Sequence, residues 1–464
     1  MIRYHRAMSP AETLERPAAE EASNPYLQGN FAPVTVETAA FDLPVKGRIP
    51  EALTGRYLRI GPHPLGPVDP KTYHWFTGSG MVHGLRLRGG KAEWYRNRAV
   101  VSDSIAPLLG RPGLPGPRNG FGDNTANTNI IDMGGRTYAI VEAGGLPVEL
   151  TYTLESVGRS DLSGTLKHGF TAHPKIDPVT GELHAVAYQR GLEAISYLAV
   201  DRAGRVRAVA DIPAPYCPMI HDTAFTAQFA IVLDLPVRFD MALVSRGGFP
   251  FRWDNEMTPR IGLLPRSGDP TGLKWIEAPS CYVFHVMNAY DDGDQVVMDV
   301  ERHPKMFAKE MRGPSEGRPV LVRWRMDPST GRLSETMLDD RSLEFPRFND
   351  ARAGQAYRFG YTAGSNDTPQ GFGAVYKHDL VSGRDETHDH GPGRYTLEPV
   401  FVARPDAKAE DDGWILVYVY DQNRDASDVV ILEAQNFEGP PVATIELPVR
   451  VPFGFHGNWI ADPA

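Results

Sequence analysis

One turn recurs through most of this chain. Asp177-Pro178-Val179-Thr180-Gly181 returns in kind as Asp327-Pro328-Ser329-Thr330-Gly331. Looser versions are Asp201-Arg202-Ala203-Gly204 and Asp379-Leu380-Val381-Ser382-Gly383. Aspartate starts such a turn by accepting from its own backbone, and glycine supplies the positive φ. Between the turns lie short runs rich in β-branched and aromatic residues. Val82 to Leu87 precedes Gly89-Gly90 and then Ala92 to Tyr95; Asn129-Ile130-Ile131 precedes Gly134-Gly135 and then Thr137 to Val141. This is hairpin after hairpin with few amphipathic helical windows, which restricts the fold to a sandwich, a barrel or a propeller. The strands are too many for one sandwich, and radial repetition accommodates them in a propeller. No clean repeat period appears, so the blades are expected to be irregular.

Two apolar stretches interrupt the meander. Ile105 to Phe121 is rich in Pro and Gly, and Asp234 to Trp253 mixes Leu, Val, Met and Phe with basic residues. Both are expected to be excursions from the rim. No linker divides the chain, so residues 24–464 are expected to form a single domain behind a loosely ordered tail over 1–23. The tail is charged and has no apolar core of the signal-peptide kind. No apolar run approaches the roughly 18 residues of a membrane-crossing helix. The net charge of −10 argues against a nucleic-acid partner, which needs a basic footprint. Cys217 and Cys281 are the only cysteines, both in apolar contexts, so buried thiols and a reducing, cytoplasmic location are expected.

Against that background, four of the fourteen histidines have unusual settings. His173 sits in Phe170-Thr171-Ala172-His173-Pro174-Lys175, His221 in Pro218-Met219-Ile220-His221-Asp222, His285 in Ser280-Cys281-Tyr282-Val283-Phe284-His285-Val286, and His456 in Phe453-Gly454-Phe455-His456-Gly457. Each is in a short apolar segment at a strand edge. Taken singly, each reads first as a core histidine bonded to a carbonyl, with a metal ligand as the sharper alternative. Three glutamates keep similarly apolar company: Glu142 after Tyr138-Ala139-Ile140-Val141, Glu344 in Leu343-Glu344-Phe345-Pro346, and Glu398 in Leu397-Glu398-Pro399-Val400. A buried carboxylate needs a partner. It is either an arginine, such as Arg347 for Glu344, or the outer N–H of a metal-bound imidazole.

Several separated motifs, in order, resemble the carotenoid cleavage oxygenase family from about Asn24 onward. They are Leu53-Thr54-Gly55-Arg56-Tyr57 with Gly61-Pro62, His74-Trp75-Phe76 leading to Gly80-Met81-Val82-His83, Asn124-Thr125-Ala126-Asn127-Thr128-Asn129, the four histidine segments, Glu344-Phe345-Pro346 and Glu398-Pro399. The resemblance implies an all-β, seven-bladed propeller with an apolar cap over an axial non-haem Fe(II). It implies His173, His221, His285 and His456 as ligands. Glu142 would support His221, Glu344 would support His285 and Glu398 would support His456, with no carboxylate for His173. Thr128 matches a position whose side chain leans over an open coordination site. The implied activity is dioxygenase cleavage of a C=C bond by O₂, giving two carbonyl products, on a small apolar polyene or an aryl alkene. Geometric isomerisation on the same fold, or a propeller serving as a binding scaffold, are the other readings.

Two departures from the family pattern stand out. The family's Asp-Gly-Asp-Gly-Met loop is Thr77-Gly78-Ser79-Gly80-Met81 here, in what reads as a structural turn. Relatives that cleave hydroxystilbenes anchor the phenol with a lysine before the first supporting glutamate and a tyrosine upstream. Here the first position is Val141, and residues 105–121 contain no tyrosine. A carotenoid or apocarotenoid is therefore the expected substrate, with a stilbenoid as the alternative. Phe284 and Phe455 are expected in the tunnel wall, and the two apolar excursions in a cap with peripheral membrane contact.

Overall fold

The structure, a computed structural model, describes residues 24–463 apart from 121, 122, 124, 315 and 366–370. The expected tail over 1–23, Phe121 and Asn124 lie outside the described residues. The Asp-to-Gly turns form as their chemistry requires. Asp177 Oδ1 accepts from Val179 N at 2.8 Å and Asp327 Oδ1 from Ser329 N at 2.8 Å, and Gly181 and Gly331 both sit at φ +70°. Each turn joins neighbouring antiparallel strands.

The strands group into seven antiparallel units, the blades of a β-propeller. Blade 2 holds Asn129–Met133, Arg136–Ile140, Val148–Leu150 and Ser156–Arg159. Blade 3 holds Lys175–Ile176, Leu183–Tyr188, Ala194–Val200 and Val206–Pro213. Blade 4 is Ala224–Phe225, Phe229–Asp234, Arg260–Pro265 and Lys274–Glu277, interrupted by a small hairpin of Val237–Phe239 with Phe251–Trp253. Blade 5 is Tyr282–Asp292, Gln295–His303, Val320–Asp327 and Arg332–Asp339; blade 6 is Leu343–Phe348, Phe359–Ser365, Phe372–Asp379 and Arg384–His388. Blade 7 is Val400–Ala403, Gly413–Asp421, Ala426–Glu433 and Ala443–Glu446, edged by Val45–Gly47. Arg394–Thr396 pairs with both Phe372 and Val419 and fuses blades 6 and 7 into one sheet.

Blade 1 closes the ring. Gly457–Ala461 pairs antiparallel with Gly55–Pro62, followed outward by Gly80–Arg88, Lys91–Ala99 and Ala39–Ala40. The first strands of blades 4, 5, 6, 7, 1 and 2 touch in that order, so they form the inner ring around the axis. These strands alternate little between polar and apolar residues. Tyr282 to Tyr290 is buried without a break, as expected of strands covered on both faces.

Among the described residues the only α-helices are Ile105–Leu108 and Met241–Val244. Among the described residues no helix is long and apolar enough to cross a membrane. The segment from 105 does not roof the axis. Ile105 is buried, and Ala106 and Leu114 pack with Leu58, Ile60 and Ile130 against blades 1 and 2. The roof is assembled from other places. His74 stacks on Phe249 (3.7 Å, 8°), Trp75 N donates to Arg312 O (2.9 Å), and Tyr26 and Phe31 pack on Trp75 at 5.4 and 5.3 Å. The variant glycine loop beneath it is a tight structural turn. A Cβ on Gly80 would lie 2.0 Å from Ala126 O, and Asn127 Nδ2 donates to Gly78 O at 2.6 Å.

Candidate metal centre

Each blade presents one site residue at or close to the start of its innermost strand. Going round the axis these are Thr128, His173, His221, His285, Glu344, Glu398 and His456. This register brings residues far apart in sequence into one ring. Backbone clasps between blades keep it. Asp222, 2 % exposed, accepts from Thr223 N at 2.6 Å, from Val286 N at 2.8 Å and from Lys175 Nζ at 2.8 Å, tying together the strand starts of blades 3, 4 and 5. Asn129 Nδ2 donates to Ala172 O (2.9 Å), and Asn458 Nδ2 donates to Asn129 Oδ1 (3.0 Å) and Ile130 O (2.8 Å), linking blades 1, 2 and 3.

The four histidines converge with their nitrogens within 4.8 Å of one another, all buried. His173 Nε2 lies 3.0 Å from His221 Nε2, and His285 Nε2 lies 3.1 Å from His456 Nε2. The other ring nitrogens face outward to carboxylates. His221 Nδ1 is 2.9 Å from Glu142 Oε1, His456 Nδ1 is 3.0 Å from Glu398 Oε1, and His285 Nδ1 bonds Glu344 Oε2. Among the described residues His173 has no carboxylate partner at its ring. With Nδ1 donating, the Nε2 atoms of neutral His285 and His456 are lone-pair atoms pointed at each other. Two acceptors 3.1 Å apart repel, and a cation between them turns the repulsion into coordination. The donor set therefore fits a metal ion.

Electrostatics favour the neutral ring at His173 and His456 and the charged ring at His285. Burial holds His173 well below the ordinary histidine pKa, aided by the neighbouring imidazoles, and brings His456 down to about 4 despite Glu398. Burial opposes charge on His285 too, but Glu344 outweighs it and raises the pKa. Burial opposes ionisation of Glu398, yet Arg347, His456 and the Gly457 N–H bring it down to about 2. Glu344 is likewise held well below the carboxylate range by His285 and His303 against the cost of its burial.

Several partners were not visible in the sequence. Arg347 does not pair with Glu344; its Nη1 lies 3.3 Å from Glu398 Oε1, and it also donates to Gly457 O. Tyr188 OH donates to Glu142 Oε2 at 2.9 Å. His303, which beside a turn reads as unremarkable, reaches Glu344 Oε1 at 2.7 Å. The backbone at Phe345 is left-handed (φ +55°), costly for a bulky residue, and its N–H donates to Glu344 Oε2 at 2.7 Å.

A cavity of about 620 Å³ opens above three of the four histidines, His221, His285 and His456. Phe284 and Phe455 line it, as do Phe76, Phe249, Phe345 and Phe372, with Thr128 and Val141 between them. The Thr128 hydroxyl is committed to Asn127 Oδ1 (2.8 Å), so its methyl is the face it can offer the cavity. Among the described residues of the two apolar excursions only Phe249, Pro250 and Phe251, from 234 to 253, contribute. Residues Arg118 and Asn119 of the other border a separate cavity of about 160 Å³ that also touches Val141 and Glu142. Pro25, Tyr26 and Phe31, with Glu310, Pro314 and Gly317, which no sequence signal singles out, complete the roof.

Comparison with known proteins places this architecture. A family model described as retinal pigment epithelial membrane protein matches residues 31–461. The carotenoid cleavage oxygenase of Mycobacterium tuberculosis is 41 % identical over 95 % of this chain and 98 % of its own. Among solved structures, the lignostilbene dioxygenase of Pseudomonas brassicacearum superposes with a TM-score of 0.85 at 27 % identity, covering 95 % of this chain and 99 % of that one. The cobalt-substituted apocarotenoid oxygenase of Synechocystis superposes with a TM-score of 0.83 at 27 % identity, covering 93 % and 97 %. A seven-bladed ring with four buried histidines at its axis, matched over nearly its whole length, belongs to the carotenoid cleavage oxygenase family.

Proposed function

We propose that His173, His221, His285 and His456 hold Fe(II) and that the enzyme is a dioxygenase cleaving one C=C bond of a carotenoid or apocarotenoid into two carbonyl products. The observation that carries this reading is the convergence of four imidazole nitrogens on the floor of an aromatic cavity. Residues 24–464 act as one propeller domain in this reading, in the cytoplasm.

Bound there, the ion supplies a site at which O₂ is activated beside the alkene. The protein's own part is positional. The three glutamates fix the tautomers of His221, His285 and His456 and aim their Nε2 lone pairs inward, while leaving the ion's charge to the neutral imidazoles. Thr128 narrows the space beside the histidines with an apolar surface. The ring of phenylalanines excludes water and lays a flat, conjugated chain across the site. The cavity volume lies in the range of drug-sized ligand sites. It holds the segment being cleaved rather than a whole long carotenoid.

The alternative substrate is a stilbenoid or phenylpropanoid alkene, as the name of the Pseudomonas brassicacearum relative indicates for that protein. The lining speaks for the polyene. Val141 is apolar, Tyr188 is occupied with Glu142, and the one Lys or Arg among the described lining residues is Arg318, exposed at the rim. A phenolate needs a buried donor. Peripheral membrane contact is supported by Met241 and Val244, 46 % and 37 % exposed, on the excursion that supplies Phe249 to the cavity.

The test is an aerobic panel on the iron-loaded protein with an apocarotenal, a full-length carotenoid and a hydroxystilbene, with anaerobic controls. O₂-dependent loss of apocarotenal absorbance with two shorter carbonyl products is the expected result. Cleavage of the stilbene alone would overturn the substrate assignment. Iron uptake without turnover of any of the three would overturn the dioxygenase reading.

A further inference from the structure

The second strand of blade 5, Gln295–His303, turns a row of ionisable side chains toward blade 6. Alternate residues of a strand share a face, so Asp299, Glu301 and His303 stand in line. The first is saturated: Asp299 accepts from Arg323 Nε (2.7 Å) and Nη2 (2.8 Å) and from Tyr357 OH (2.6 Å). The other two are not. Glu301 is fully buried, and neither of its oxygens has a hydrogen-bond partner among the described residues. His303 is 3 % exposed; its Nε2 bonds Glu344, but its Nδ1 has no partner.

The orphans are complementary. Glu344 is an anion accepting from His285 Nδ1, His303 Nε2 and Phe345 N. With Nε2 donating to Glu344, the singly protonated ring of His303 presents Nδ1 as an acceptor. Burial, with Glu344 and Asp339 nearby, pushes the Glu301 carboxyl well above its usual range, so it carries an O–H donor. One acceptor on His303 and two oxygens on Glu301, one bearing a proton, make three unmet bonds, the number a typical buried water forms. An unpaired buried carboxylic acid is costly, and a leucine in its place would carry no such cost.

We propose that one internal water joins Glu301 to Nδ1 of His303, and that this pair is a positioning relay which holds Glu344, and through it His285, in the orientation needed at the metal. The relay acts from behind the carboxylate and touches neither substrate nor ion. Its effect on the metal rests on the four-histidine reading; the protonation of Glu301 does not.

The experiment has two arms on the full-length protein. Infrared difference spectra of the metal-free form at neutral pH are compared between wild type and Glu301→Gln. A carbonyl stretch of a protonated carboxylic acid, present in wild type and missing in the variant, is expected; no difference would overturn the proposal whatever the metal does. In the second arm the cobalt-loaded protein is challenged with a chelator, and its ligand-field spectrum is recorded. His303→Phe should release cobalt about tenfold faster with a shifted spectrum, at the lower end of the usual cost of losing an outer partner. Glu301→Leu should release it severalfold faster, whereas Glu301→Gln, which keeps an N–H donor, should stay within twofold of wild type. A packing role predicts the reverse order for the two Glu301 variants, with Leu harmless. Wild-type behaviour of both Glu301→Leu and His303→Phe would overturn the relay. Failure of wild type to take up cobalt would overturn the four-histidine reading instead, leaving the infrared arm to decide Glu301.

Discussion

Replacing Asp222 tests whether the propeller axis is held by backbone clasps or merely by packing. Its carboxylate receives the N–H groups of Thr223 and Val286 at 2.6 and 2.8 Å in a site 2 % exposed. Asp222→Ala strands both donors, and each buried donor that loses a charged acceptor costs about 2 kcal/mol, so the pair costs about 4 kcal/mol. The third partner, Lys175, is partly in solvent and adds less than about 1 kcal/mol. Lys175→Met should therefore be nearly neutral, and Asp222→Asn, with one acceptor oxygen left, should fall about halfway. Urea denaturation of the metal-free forms measures the series. Metal affinity should fall with Asp222→Ala by more than about tenfold, because the two bonds set the register of the strands carrying His221 and His285. Equal losses in Lys175→Met and Asp222→Ala would refute the reasoning, as would an Asp222→Ala protein within about 1 kcal/mol of wild type.

Four further outcomes are expected. His285→Ala should abolish stoichiometric metal binding while leaving the strand signature in far-ultraviolet circular dichroism intact; retained iron would remove it from the ligand set. Glu344→Gln offers one acceptor where three donors converge and should weaken metal binding by about 10- to 100-fold, read by chelator competition. Burial brings His63 down to about 4 and His74 to about 3. Their unfolded forms take up protons first as pH falls below about 6.5, so stability is full above that value and declines toward pH 4, by about 2 kcal/mol for each at pH 4.5. A flat denaturation midpoint between pH 6.5 and 4.5 would contradict this. Met241→Glu with Val244→Glu should lower co-flotation with lipid vesicles without altering metal content; unchanged flotation would place the membrane contact elsewhere.

The sequence made the propeller legible because its evidence is local: Asp177 and Asp327 form their turns with residues two and three positions away. The four histidines and three glutamates stood out because polar residues in apolar runs need an explanation. The partners that complete them were illegible for the opposite reason. Arg347 is three residues from Glu344 yet serves Glu398, because a bulge in its strand breaks the pairing register between Glu344 and Arg347. Neighbours in sequence are then poor guides to neighbours in space. His303 lies beside a turn in the sequence, and only the packing of blade 5 on blade 6 turns it toward Glu344. The roof was misassigned in part for the same cause. Apolar composition singles out 105–121, but Ala106 and Leu114 pack against blades 1 and 2, while Pro25, Tyr26, Phe31, Glu310 and Pro314 sit in too mixed a composition to signal their place over the axis.

The strand that closes the ring has a consequence for how the protein is made. Blade 1 takes its outer strands from the beginning of the described chain and its innermost strand, led by His456, from beyond blade 7. A ribosome releasing this chain vectorially delivers three histidines while the fourth position stays empty, and the ring remains an open arc until Gly457–Ala461 docks. In the four-histidine reading, metal capture would therefore require completed circularisation. On the same reading, chains cut short before that strand would lack His456 and with it the fourth of the four converging imidazoles.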